Sequence, residues 1–264
     1  MKNILAEIVE KKKEIVAAAK KAVPLDAVKR AARPGGFRLS HRVRGEAWSL
    51  IAECKLQSPA KGRLCRAYSV TELAKIYEEN GASALSVHTD PHFLGSNEDF
   101  TAVRKMTDLP LLRKDFIIDE YQIYEARMLG ADVVLLIARI LSPRPLMEFL
   151  YLTWGLGMDA LVEVHDEADL EAALATPAEF IGVNNRNLTT FTTSIENTMA
   201  MLPKIGEGRT VISESGVQSV EDAARLREAG CDGILVGDGL VTAPSIAQMT
   251  RQLSSVGGEA RKSA

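Results

Sequence analysis

The stretch "IAECKLQSPAKG", residues 51–62, places Glu53 and Lys55 two positions apart in an otherwise apolar run. Side chains alternate across a strand, so this carboxylate and this ammonium leave the same face. Buried charge is costly unless it is paired. Polar residues recur where later apolar runs end: Arg113, Lys114 and Asp115; Glu163; Asn184, Asn185 and Arg186; Glu214, Ser215 and Gly216; Gly237 and Asp238. Any one of them alone reads as a structural ion pair. Two Lys and three Glu brought to one place read as an acid–base site.

Three glycine-bearing stretches accompany these charges: "SPAKG", "ESG" and "VGDG". Backbone N–H groups at such turns hold anions, phosphate above all. The first would add the Ser58 hydroxyl and a lid carrying Lys61. In the last, only the N–H of Asp238 faces an anion, so its carboxylate is expected to point away.

The elements that must position these residues follow from the apolar pattern. Strands are expected at 50–55, 84–89, 109–114, 133–138, 160–164, 180–185, 210–215 and 233–238, mostly as continuous apolar runs of the kind found in covered parallel sheets. Helix-period stretches occupy 71–80, 97–107, 119–129, 143–154, 166–175, 195–202, 219–229 and 244–253. The joints "ENGASAL", "MLGADVV", "GLGMDAL" and "EAGCDGI" repeat one design, with Gly closing a helix before the next strand. Eight such units predict an α/β fold, a (β/α)8 TIM barrel, with its site at the C-terminal strand ends. An open doubly wound sheet lacks its G-x-G-x-x-G sign here. Residues 1–46 are helical and charged and read as an N-terminal helical extension packed on the barrel; 47–264 form the barrel itself. The "KKK" at 11–13 reads as a solvated helix face.

A net charge of −3 and the lack of a basic stripe argue against nucleic acid. No apolar run reaches the roughly 18 residues of a membrane span. The N-terminus is an amphipathic helix and not a signal peptide, and three scattered cysteines suit a reducing cytoplasm. His88, Asp90 and His92 have metal-like spacing without a third convergent ligand, so they read as a polar loop. His165 reads as a loop or cap residue and Cys54 as core. Phe93, Phe116 and Leu136 are candidates for an apolar wall at the mouth.

These motifs resemble the indole-3-glycerol phosphate synthase family of tryptophan biosynthesis. The resemblance rests on "IAECKLQSPAKG", "LLRKDFIIDEYQIYEARMLGADVVLLIA", "LVEVHDE", "IGVNNRNL", "ISESGV" and "VGDGL". It implies a carboxy-lyase that closes the ring of 1-(2-carboxyphenylamino)-1-deoxyribulose 5-phosphate with loss of CO2 and water. By that resemblance Lys114 is the general acid and Glu163 the base-side carboxylate. Lys55 meets the substrate carboxylate and shares acid duty, and Arg186 supports that side. Glu53, Asn184 and Glu214 hold hydroxyls and orient the lysines. Ser58, Gly216, Gly237 and Asp238 hold the phosphate, with Ser215 beside it. No metal or organic cofactor is implied. The expected partner is a small phosphorylated molecule, with neither nucleic acid nor membrane, and the chain is compatible with a monomer. Ring closure suits a lysine whose pKa neighbouring cations lower toward working pH. Two rivals stand beside this reading. One is another phosphate-sugar barrel, such as phosphoribosylanthranilate isomerase; the other is a catalytically inactive scaffold barrel.

Overall fold

The computed structural model describes residues 4–44, 48–58, 62–187 and 192–257 of the 264-residue chain. Eight parallel strands close on themselves: β1 (Ser49–Cys54), β2 (Ala84–His88), β3 (Leu111–Lys114), β4 (Val133–Ile137), β5 (Asp159–Val164), β6 (Phe180–Asn184), β7 (Thr210–Glu214) and β8 (Gly233–Val236). Every strand pairs with its sequence neighbours, and β1 pairs with β8 to complete the ring. The expected strands are met, with ends that differ by a residue or two.

Alternation sorts the side chains into two layers. Ile51, Leu112, Leu135, Leu161, Phe180, Ile212 and Leu235 pack inside the barrel. Leu50, Val87, Val134, Val162, Val183 and Val236 face outward into the layer shared with the helices. Near-continuous apolar strands therefore reflect burial on both faces.

The outer helices are α4 (Val70–Glu79), α5 (Asn97–Met106), α6 (Glu120–Leu129), α7 (Pro143–Gly155), α8 (Glu167–Leu174), α9 (Glu196–Ile205), α10 (Val220–Glu228) and α12 (Ile246–Ser254). A short α11 (Asp238–Val241) follows β8. Local sequence sets their starts: Ser69 with Glu72 and Ser219 with Asp222 form capping boxes at α4 and α10. The repeated joints behave as expected. Gly81, Gly130, Gly157 and Gly230 all have positive φ, between 66° and 99°. Helix α9 continues through Pro203 past its expected end at 202.

Three further helices precede the barrel: α1 (Ile4–Ala22), α2 (Leu25–Ala31) and α3 (Arg38–Val43). They run over it from one end to the other. Ile4, Leu5 and Ile8 of α1 reach the cavity at the C-terminal strand ends. Leu39 and Val43 of α3 join the inner cluster at the opposite end. There the Leu39 and Ser40 amides donate to Asp159 Oδ2 at 3.0 and 3.1 Å. Among the described residues, no helix is long and apolar enough to cross a membrane.

The run at 11–13 departs from expectation. Lys11 and Lys13 are solvated, pairing with Glu14 and Glu10. Lys12 is buried, with its Nζ 2.7 Å from Asp90 Oδ2 and 2.6 Å from Asp115 Oδ1. It lies four residues from both Ile8 and Val16, on the α1 face that meets the barrel. In the turn after β1, Gln57–Ser58 pairs with Gly62–Arg63 as a small hairpin. Lys61 of the expected lid lies outside the described residues.

Candidate active site

A cavity of about 560 Å³ opens at the C-terminal ends of the strands. Inward-facing strand ends place Glu53, Lys114, Glu163, Asn184 and Glu214 in its wall. Lys55, Arg186, Ser215, Gly216, Gly237 and Asp238 add to it from the turns just beyond. Residues from six strand ends thus meet in one space, although they are far apart in sequence. The outward neighbours are structural. Arg113 binds Glu125 at 2.6 Å, and Asn185 bonds to Ser213, Ser215 and Thr198.

The charges form two adjoining groups. In the first, Lys114 Nζ lies 3.1 Å from Glu163 Oε2 and 2.5 Å from Glu214 Oε2. His165 Nε2 is 3.3 Å from the other oxygen of Glu163. In the second, Lys55 Nζ sits 2.9 Å from Asp238 Oδ1 and 3.7 Å from Glu53 Oε2. His88 Nε2 lies 2.6 Å from Glu53 Oε1. Arg186 approaches Asp238 at 4.0 Å.

Two missing side chains make this packing possible. A Cβ at Gly182 would come within 2.1 Å of Glu214 Oε1, and one at Gly237 within 2.0 Å of Glu53 Oε2. The turn after β7 is shaped by consecutive positive φ angles, 63° at Ser215 and 86° at Gly216. A serine in that conformation is uncommon and belongs to the kind of strain found at binding sites.

Electrostatics separate the three glutamates. Burial works against ionising Glu53, but Lys55, His88 and Lys114 outweigh it and hold its pKa well below the usual carboxylate range. Burial likewise opposes the Glu163 anion, and Lys114, His165 and an Asn184 hydrogen bond reverse the balance and lower its pKa. Glu214 goes the other way. Burial and the nearby Glu163 push it up to about 7 against the pull of Lys114. Burial alone would lower the Lys114 pKa, yet Glu214, Glu163 and Glu53 raise it above its ordinary value. The expected depression by neighbouring cations is overturned, because the nearest charges to Lys114 are carboxylates.

Three other expectations need correction. Leu136 is fully buried in the outer layer and does not line the cavity. Strand alternation turns Leu135 and Ile137 inward in its place. Ser58 is also fully buried and is not among the lining residues. The Asp238 carboxylate does not point away; it lines the cavity and pairs with Lys55.

Phe93 and Phe116 do line the cavity, their ring centroids 6.2 Å apart. Phe93 stacks on His88 at 4.4 Å with an interplanar angle of 3°. His88 and His165, read from the sequence as loop residues, are both wall residues. Their spacing carried the signal: His88 is two positions beyond Ser86 and His165 two beyond Glu163, so each shares an inward face. Ile4, Leu5 and Ile8 carried no such signal, since contact between α1 and the mouth is long-range. Among the described residues, no group of three His, Cys, Asp or Glu is arranged to hold a metal ion.

A closed parallel barrel with paired lysines and glutamates at its C-terminal mouth is the architecture of a (β/α)8 barrel enzyme. A sequence model of the family "Indole-3-glycerol phosphate synthase" matches residues 5–253. The chain is 41% identical to the indole-3-glycerol phosphate synthase of Alkaliphilus metalliredigens over 256 residues, covering 96% of this chain and 98% of that one. It is 43% identical to that of Carboxydothermus hydrogenoformans over 255 residues, covering 91% and 95%. The chain belongs to the indole-3-glycerol phosphate synthase family of tryptophan biosynthesis. Among solved structures it is similar in fold to 3-hexulose-6-phosphate synthase from Salmonella typhimurium, with a TM-score of 0.62 and 16% identity, covering 79% of this chain and 97% of that one.

Proposed function

We propose that this chain makes indole-3-glycerol phosphate from 1-(2-carboxyphenylamino)-1-deoxyribulose 5-phosphate, in the cytoplasm and as a monomer. The observation that carries this reading is Lys114 held between Glu163 and Glu214 at the mouth of a barrel of this family. In the first step the ring carbon bearing the carboxylate attacks the carbonyl carbon. Lys114, fully charged at neutral pH, gives its proton to the carbonyl oxygen, which becomes a hydroxyl. CO2 leaves the ring carbon, and its bonding pair restores the aromatic ring. The hydroxyl then departs as water with a second proton, given by the Lys55 ammonium in its share of the acid duty. Glu163, held ionised, takes a proton from the adjacent methylene as the new double bond forms.

Lys55 and Arg186 are the cations for the substrate carboxylate, and Glu53 keeps Lys55 oriented. Asn184 steadies Glu163, and Glu214 steadies Lys114. Phe93 and Phe116 give the aromatic ring an apolar face. The phosphate sits against the turns at Ser215–Gly216 and Gly237–Asp238, glycine-bearing turns of the kind that hold anions, beside a serine hydroxyl.

The test gives the purified chain two substrates in turn. The carboxyphenylamino ribulose phosphate should yield indole fluorescence, and N-(5-phosphoribosyl)anthranilate should stay unchanged. Isomerisation of the second would favour the isomerase rival, and inertness toward both would favour the scaffold.

A further inference from the structure

The buried Lys12 lies outside the reaction scheme, yet it joins three segments that meet at the mouth. Its Nζ contacts Asp90 on the loop after β2 and Asp115 on the turn after β3, at 2.7 and 2.6 Å. All three side chains are at most 3% exposed. The remaining capacity of each carboxylate is used by neighbouring groups, and Thr89 of the β2 loop bonds to Asp115 of the other turn. Asp90 Oδ1 accepts the His92 amide at 2.9 Å and faces its Nδ1 at 2.7 Å. Asp115 Oδ2 accepts from Thr89 Oγ1 at 2.9 Å and faces Arg113 at 3.2 Å, while Oδ1 also accepts the Phe116 amide at 2.8 Å. Two loops, each already braced, thus present one oxygen apiece to a single ammonium from α1.

Both ends of this contact reach the site. Asp115 follows Lys114 directly, and its carboxylate ties down the turn that carries Phe116. On α1, Ile8 lies one turn before Lys12 and Leu5 two turns before, about 10 Å along the axis, and both line the cavity. A buried charge without its partner is strongly unfavourable, so the ammonium is either clasped by both aspartates or the helix is undocked. We infer that Lys12 is a positioning residue that clasps α1 over the cavity and fixes the Asp115 turn beside Lys114. The clasp gives the mouth its apolar cover and holds the acid in register with one contact.

The functional part of this inference rests on the proposed activity; the docking part does not. Hydrogen exchange across α1 tests docking in the full chain. Lys12→Met should speed exchange of the α1 amides by about 100-fold, with the barrel strands little changed. Lys11→Met should leave it unchanged, and Lys12→Arg should restore protection in part. In the activity assay Lys12→Met should raise KM and lower kcat, each by about tenfold, since cover and acid placement are both lost. Lys12→Met/Asp90→Asn removes an orphaned carboxylate and should regain thermal stability without regaining turnover. Unchanged α1 exchange in Lys12→Met overturns the clasp whatever the activity proves to be. Turnover that returns together with stability in the double variant reduces Lys12 to a structural ion pair.

Discussion

Lys114 Nζ lies 3.1 Å from Glu163 Oε2, so the proposed acid and the proposed base are in direct contact. Each sets the protonation of the other: Lys114 helps keep Glu163 ionised, and Glu163 helps keep Lys114 charged. The pairing thus favours the charged form of both groups.

Lys114→Ala should cut turnover by about 100-fold or more, the scale for losing a positioned general acid. It should also cost stability at neutral pH, because two buried carboxylates lose the ammonium between them. The cost should shrink as pH falls and those carboxylates take up protons. Steady-state rates and thermal midpoints measured on one preparation check both halves. Normal turnover would remove Lys114 from its role.

Glu163→Gln should block dehydration more than ring closure, since Gln keeps the shape but takes no proton. Rapid-quench single turnovers should show the ring-closed, hydroxyl-bearing intermediate building up. A parallel slowing of substrate loss and indole formation, with nothing accumulating, would assign the base elsewhere.

Much of this site was legible in the chain because it obeys strand alternation. Glu53, Lys114, Glu163, Asn184 and Glu214 sit at strand ends on inward faces, and strand periodicity is a local property. Leu136 shows how a one-residue error on a strand reverses the face, since its neighbours Leu135 and Ile137 are the residues that point inward. Lys12 was illegible for another reason. A lysine between two other lysines looks solvated, and its aspartate partners lie on loops about 80 and 100 residues away, brought together only by the closed barrel. The high pKa of Lys114 was likewise hidden, because it depends on which neighbours the fold delivers.

Glu214 has the clearest pH signature for stability. Its carboxyl has an ordinary pKa of 4.5 and is raised to about 7 in the folded chain. Its contribution is complete below 4.5 and is lost as pH rises through about 7. Glu53 and Glu163 have the opposite sign: lowered pKa values give stability above the ordinary value that is lost on acidification. The thermal midpoint of the wild-type chain, relative to Glu214→Gln, should therefore fall between about pH 5 and about pH 8. A constant difference across that range would mean that Glu214 titrates normally.

The anion site can be probed at its glycine turn. At Gly216, φ is 86° and a Cβ would meet Thr193 Cγ2 at 2.9 Å. Gly216→Val should therefore distort the turn and weaken competition by inorganic phosphate, with KM rising about tenfold or more. Asp238→Asn keeps the backbone but frees Lys55 from an anion 2.9 Å away, so it should alter phosphate competition less than Gly216→Val does. Inhibition constants for phosphate against both variants decide the matter. An effect confined to Asp238→Asn would move the phosphate away from the turn after β7.

Ring closure, decarboxylation and dehydration should all occur in this one cavity. The most direct measurement supplies substrate labelled in its carboxyl carbon and follows trapped CO2 and indole fluorescence together. Labelled CO2 and indole should appear in equal amounts with the wild-type chain, and both should be lost with Lys114→Ala. CO2 released without indole, or no release from the wild-type chain at all, would contradict this reading.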